Sequence, residues 1–413
     1  MHKNTIKFRF PRILVVLCAF ILFLSSVCIQ ADTTSAESDP LQIISLMDSG
    51  WIDLYNEGRV RVDYQDYLSG IGSLRFDHSP DGNFTGAYLQ IPWQDFNKNG
   101  FKLTFKTASW ERLESFLIGF CSDEEFEKNF DDFYFIDLKY YLSSIKDNEW
   151  NSITLSQSNL MSAGFPSWKH IGSIFIRTFS SQQPTPTLWI DEISTFESKT
   201  KKGVVIAYDD GQLSAYTKGK ITMDRYGFPG TMFIIPSYIN QPGFMNSLQL
   251  QDMARSGWDI GGHSDYLLPS LPEDLLEKDI RDTQNYLKTL GYAGYQFYAI
   301  PYGEYNEKVI QMLKKYFPYV RPNYALHQPG GFALPEKLNS QVVSMYTPVE
   351  QIIEWIDQAN KNNDLLILVF HKIEEYPIYD TEYRLSDFVQ VLDYLKKGTI
   401  PVTTLSKYFY PAS

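Results

Sequence analysis

The chain has 413 residues, 44% hydrophobic and 21% charged, a globular composition with room for two domains that excludes a wholly disordered protein. A formal charge of −12 argues against a phosphate-backbone partner, so no nucleic acid is expected. Aromatic residues reach 15%, which favours β-structure or sugar-facing surfaces.

The amino terminus reads as a secretory signal. Lys3, Lys7, Arg9 and Arg12 precede an apolar run from Ile13 to Leu24, no acid occurs before Asp32, and Ala31 offers the best cleavage point. Residues 1–31 are thus expected to direct export to the cell surface or beyond, and residues 32–40 form a polar linker. Uncleaved, Ile13 to Ile29 is just long enough to tether the chain to a membrane. Cleavage would remove four basic residues and no acid, taking the net charge to −16. Of the three cysteines, Cys18 and Cys28 lie in this segment, leaving Cys121. A single thiol builds neither an internal disulfide nor a multi-thiolate zinc site, and a buried apolar role suits it.

From 41 to 198, short β-rich runs recur between turn residues: Ser73–Phe76, Ala87–Ile91, Phe101–Thr107, Phe116–Phe120, Phe133–Leu138, Trp150–Leu155, Ile171–Phe179 and Thr187–Phe196. Their spacing predicts an antiparallel β-sandwich. Trp51, Trp93, Trp110, Trp150, Trp168 and Trp189 all fall here. Trp51, Trp93, Trp110 or Trp168 would offer a platform for sugar rings if exposed, although most tryptophans in a sandwich fill its core.

A charged junction at Ser198–Gly203 separates this region from one with a different grammar. Short buried-type strands at Val204–Ala207, Thr231–Ile235, Asp259–Gly262, Phe297–Ile300 and Leu365–Phe370 alternate with helical patterns. Leu276, Ile280, Thr283, Leu287 and Leu290 share one helical face behind Pro272. Thr347-Pro348-Val349-Glu350 reads as a capping box opening another helix. The alternation predicts a parallel α/β domain over 203–409, whose chemistry belongs at the carboxyl ends of its strands.

Polar residues stand at those ends. Asp209-Asp210-Gly211, His263-Ser264, Pro301-Tyr302-Gly303 and His371 each follow a different strand. Singly, an Asp-Gly turn or a lone histidine is unremarkable in a loop; four together suit metal-assisted hydrolysis. Asp210 and His263 offer the oxygen and nitrogen that zinc accepts, Asp209 could take a proton from water, and His371 could protonate a leaving group.

In this order, Tyr208-Asp209-Asp210-Gly211, Gly262-His263-Ser264, Pro301-Tyr302-Gly303 with Asn306, and Leu368-Val369-Phe370-His371 resemble the polysaccharide deacetylase (NodB-homology, carbohydrate esterase family 4) pattern over about 203–409. The resemblance implies a distorted (β/α)7-type barrel, an acetylated polysaccharide as partner, removal of N- or O-acetyl groups, and a divalent metal, expected to be zinc. It implies Asp209 as general base, Asp210 and His263 as metal ligands, His371 as general acid, and the Tyr302 backbone amide at the oxyanion; it implies no partner protein. The family's second metal histidine is replaced by Leu267, so the ligand set is incomplete, and Asp265 or His327 are candidate substitutes. The arginine that often orients the base is replaced by Ala299, with Arg321 a candidate in its place, and Lys372 follows His371 where aspartate is frequent. An alternative reading is a catalytically impaired glycan-binding protein that keeps the fold. Thr187–Ile193, with Asp191 between apolar positions, and Ser69–Phe76 resemble strands of carbohydrate-binding jelly-roll modules.

Overall fold

Alternating residues that point to opposite faces of a strand build the first half. The computed structural model describes residues 42–410 except 46, 48, 56–58, 79–81, 83, 123–130, 143–144, 198–200, 323–324, 330–333 and 336. The expected signal, the linker and Ser198 of the junction lie outside the described residues. Everything described belongs to one compact unit.

Two antiparallel sheets face each other. One runs in the order Val60–Asp63, Ser73–Asp77, Thr187–Glu197, Asn99–Thr107 and Asn151–Leu155, with Gln42–Ser45 also against Thr187–Glu197. The other runs Met161–Ala163, Phe133–Asp137, Ser115–Cys121, Ile171–Phe179, Thr85–Gln94 and Trp51–Asp53. Phe101, Leu103 and Phe105 alternate inward from the first sheet, and Phe116, Ile118 and Phe120 from the second. Phe101 stacks on Phe120 at 4.2 Å between ring centroids. Asp191 joins the two stretches that resemble jelly-roll modules. Its buried carboxylate accepts bonds from the Leu68 and Ser69 amides at 2.6 and 3.2 Å and from the Ser69 hydroxyl at 2.5 Å. Cys121 is buried, as a small apolar residue would be.

The second half is one parallel sheet. Its path is Tyr319–Arg321, Phe297–Ala299, Asp259–Gly262, Thr231–Ile234, Gly203–Tyr208, Leu365–Phe370 and Gln341–Val342, and Val402–Thr403 also pairs with Gly203–Tyr208. The seam between the outermost strands is bridged by backbone bonds, from Val320 to the Pro335 carbonyl at 2.7 Å and from Leu338 to the Val320 carbonyl at 2.9 Å. The result is a distorted barrel of the (β/α)7 kind. Val205, Ala207, Phe233, Ile367 and Val369 fill its interior, whereas Val204, Ile206 and Tyr208 face the surrounding helices. Both faces of the strands are therefore apolar, as parallel sheets require. The helix Leu405–Phe409 plugs the end where the strands begin: Leu405 and Tyr408 join the interior, and the Asp259 carboxylate accepts from the Ser406 amide at 2.7 Å.

Two details depart from the sequence reading. In the helix Glu273–Thr289, Leu276, Ile280, Thr283 and Leu287 are buried, but Leu290 falls just past its end and is exposed. The helix Val349–Asn362 starts at Pro348 without a side-chain cap. The Thr347 hydroxyl instead accepts from the Ser344 amide at 3.0 Å, stabilising the preceding loop.

Sandwich and barrel are joined by buried polar contacts. The Asp364 carboxylate accepts from the Ser156 and Ser158 hydroxyls, both at 2.5 Å, and the Asn339 amide group donates to the Thr154 carbonyl at 3.0 Å.

Candidate active site

The carboxyl ends of the parallel strands converge on a cleft of about 340 Å³. Asp209, Asp210, His263, Asp265, Tyr302, Arg321 and His371 all line it. Five strand ends, distant in sequence, supply these seven residues, because each strand of a parallel sheet ends on the same face.

Asp209 follows Gly203–Tyr208 directly, and its amide donates to the Phe370 carbonyl at 3.0 Å, which continues the ladder past the strand. Its carboxylate is buried. Arg321 donates to Oδ2 at 2.5 Å, while Oδ1 has no hydrogen-bond partner among the described residues. Arg321 is itself buried, with its guanidinium 5.3 Å from the centre of the Phe233 ring. The sheet register explains how it arrives. Arg321 is the cross-strand partner of Ala299, so the two side chains share one face, and the small Ala299 leaves that space open.

Asp210 and Gly211 both take left-handed backbone, with φ of 72° and 78°. The turn is easy for glycine and costly for most other residues, although aspartate tolerates it better than most. It brings the Asp210 carboxylate to His263. The imidazole Nδ1 lies 2.8 Å from the Ala299 carbonyl, which only accepts, so Nδ1 carries a proton; Nε2 presents its lone pair when the ring is neutral and donates to Asp210 when the ring is protonated. Nε2 faces Asp210 Oδ1 at 3.4 Å. Burial by itself would lower the His263 pKa, but the Asp210 hydrogen bond and the charges of Asp209 and Asp210 outweigh it and hold it above the ordinary value. For Asp210, burial pushes upward, and the contact with His263 together with the charges of His263 and His371 brings the net shift below the ordinary value.

The Pro301–Gly303 turn places Tyr302 at φ 59°, and the Gly303 amide closes it on the Ile300 carbonyl at 3.1 Å. Asn306, three residues on, accepts from the Val309 amide at 3.0 Å and caps the helix Glu307–Lys314.

Residues 197–317 match the polysaccharide deacetylase family, a span that holds Asp209, Asp210, His263 and Tyr302. This segment is similar to polysaccharide deacetylase domains. Arg321 and His371 lie beyond the matched span. The chain is 27% identical over 131 residues to the poly-beta-1,6-N-acetyl-D-glucosamine N-deacetylase of Staphylococcus epidermidis, covering 28% of this chain and 45% of that protein. It spans less than half the length of the curated relatives it matches. The structure of the peptidoglycan deacetylase PdaC from Bacillus subtilis is 19% identical, with a TM-score of 0.34, over 50% of this chain and 90% of that one. The family 11 carbohydrate-binding module from Clostridium thermocellum is 11% identical, with a TM-score of 0.30, over 38% of this chain and 95% of the module.

The side chains fit a deacetylase metal only in part. Asp210 Oδ1 and His263 Nε2, two electron-rich atoms aimed at one space, suit a shared cation. The closed donor set of a zinc site is not formed: among the described residues, no group of three or more His, Cys, Asp or Glu side chains is arranged to hold a metal. Leu267 is 46% exposed and apolar. Asp265 lines the cleft but accepts from the Tyr238 hydroxyl at 2.8 Å. His327 does not line the cleft, contrary to its candidacy as a substitute ligand. It is buried away from the cleft, with both ring nitrogens lacking a hydrogen-bond partner among the described residues, and burial pushes it down to about 4.

Sequence reasoning missed Tyr238, Phe244, Val342 and Thr381 in the cleft wall. No motif marks them, and Val342 ends a two-residue strand. Of the four tryptophans offered as sugar platforms, Trp93 alone is exposed. Trp110 is buried, Trp51 is half-buried, and Trp168 stacks face to face on Tyr134 at 4.0 Å.

Proposed function

We propose that this chain is an exported hydrolase that removes acetyl groups from a cell-surface or extracellular polysaccharide. The observation that carries the reading is Asp209: one carboxylate oxygen is fixed by Arg321, the other has no hydrogen-bond partner among the described residues, and the group lines the same cleft as His371 and the Tyr302 turn. The staphylococcal relative supports an amide-linked acetyl group on an amino-sugar polymer; an ester-linked one meets the same chemistry. Export rests on the basic and apolar amino-terminal segment. No helix among the described residues is long and apolar enough to cross a membrane.

The proposed reaction needs a base, an anion hole and an acid. Asp209 Oδ1 takes a proton from water as its oxygen attacks the acetyl carbonyl. The Tyr302 amide stabilises the oxyanion of the tetrahedral intermediate. His371 then protonates the departing nitrogen or oxygen, so that acetate and a free amine or hydroxyl leave. Arg321 holds Asp209 in position.

The incomplete donor set favours a second reading, a glycan-binding protein that retains the fold without turnover. Acetate release separates the two. The wild type is incubated with β-1,4- and β-1,6-linked N-acetylglucosamine oligomers and acetylated xylan, beside Asp209→Asn. Release by the wild type, lost by about a hundredfold or more in a variant that melts normally, supports the hydrolase. Glycan binding without release under any supplied divalent metal sinks it in favour of the second reading.

A further inference from the structure

The rim of the cleft beside His371 carries more exposed apolar surface than folding needs. Gln341–Val342 runs parallel to Leu365–Phe370, so the loops that follow both strands emerge on the face that holds Asp209. Tyr346, on the first loop, is 77% exposed; Tyr376, Ile378 and Tyr379, on the second, are 83%, 72% and 59% exposed. Val342 and Thr381 line the cleft, so both loops adjoin it.

These loops are firmly held. The buried Glu382 carboxylate accepts from the Ile378 and Tyr379 amides at 2.8 and 3.2 Å, and the Lys372 amide donates to the Thr381 carbonyl at 3.2 Å. The Met345 amide donates to the Asp380 carbonyl at 3.0 Å and so ties one loop to the other. The Lys372 ammonium sits 5.9 Å from the centre of the Tyr379 ring. The hydrogen bonds come from the backbone and Glu382, so the side chains of Tyr346, Tyr376 and Ile378 take no part in them and Tyr379 adds only its ring beside Lys372. Scattered exposed apolar residues are ordinary, but a cluster on a fixed frame marks a binding surface.

We infer that Tyr346, Tyr376, Ile378 and Tyr379 form a ledge that binds the glycan chain where it runs out of the cleft. The inference rests on the deacetylase reading for the sugar seated inside. A cleft of about 340 Å³ is at the small end of ligand sites, so it takes only a short piece of polymer and the remainder crosses the rim. Tyrosine rings with an apolar body and a wet hydroxyl match a sugar ring, which presents C–H groups on its faces and hydroxyls at its edges. The ledge thus makes chain length a determinant of affinity.

The test is calorimetric titration of the wild type and the triple variant Tyr346→Ala, Tyr376→Ala, Tyr379→Ala with β-1,4- and β-1,6-linked N-acetylglucosamine disaccharides and hexasaccharides. The wild type should bind a hexasaccharide at least about tenfold more tightly than the disaccharide, about 1.4 kcal/mol. The variant should bind both as the wild type binds the disaccharide, with an unchanged melting curve. A hexasaccharide preference that survives in the variant, no preference in the wild type, or no binding of either series overturns the ledge. Cosedimentation with phosphatidylcholine–phosphatidylglycerol vesicles that the variant loses would also overturn it, by giving the same face to a membrane. Acetate release is measured separately, so length-dependent binding without release would defeat the hydrolase reading and leave the ledge standing.

Discussion

Arg321 and Asp209 are 112 residues apart in the chain and 2.5 Å apart in space. Their strands stand four positions from each other in the sheet, roughly 19 Å if the sheet were flat. The contact exists because the sheet curls, and both side chains point into its open end. Arg321 also occupies, from the neighbouring strand, the space beside the small Ala299.

Arg321→Lys should therefore lower kcat for acetate release by about a hundredfold and leave KM nearly unchanged. A lysine cannot reproduce the planar fork, and a small displacement of a base is expensive. Ala299→Arg added to Arg321→Ala should recover part of the rate. A wild-type rate in Arg321→Lys would remove Arg321 from the site.

With two side-chain donors rather than three, zinc binding to the purified protein should be weak, and His263→Ala should abolish it. Titration calorimetry reads both. Stoichiometric uptake that persists in His263→Ala would put the metal somewhere other than between Asp210 and His263.

His327 gives the fold a weakness on the acid side. Its folded pKa, about 4, lies below the ordinary value of 6.5, so the unfolded chain takes up a proton first. The stability tied to its neutral form is complete above pH 6.5 and drains away as the pH falls toward 4. His327→Gln should lose less melting temperature than the wild type between those limits. Parallel melting curves across that window would show that the ring is already solvated.

Asp364 couples the two halves through Ser156 and Ser158. Asp364→Ala leaves the Ser156 hydroxyl without its acceptor and Ser158 with only the Gln358 carbonyl at 3.3 Å, and should cost about 1–3 kcal/mol, read from urea unfolding. It should also split one calorimetric transition into two. A single unchanged transition would mean that apolar packing alone holds the halves together.

Local chemistry made much of this molecule legible. Short apolar, β-rich runs bounded by turn residues located Ile171–Phe179, Asp259–Gly262 and Leu365–Phe370 to the residue, because burial on both faces leaves a near-continuous apolar stretch in the sequence. The parallel sheet then brings Asp209, His263, Tyr302 and His371 to one face, for a reason that depends on strand direction alone. The two-residue strand Gln341–Val342 is too short for any period to register.

Periodicity and turn chemistry along the chain were enough to read an antiparallel region followed by a parallel α/β one, and the polar residues at the strand ends. Long-range packing set the rest: Arg321 reaches Asp209 while His327 stays outside the cleft, Asp265 pairs with Tyr238, and Trp93 is exposed while Trp110 is buried. Those outcomes depend on how far the sheet curls and which loops then meet. Such contacts join residues far apart in the chain, and the pattern around each one carries no record of its partner.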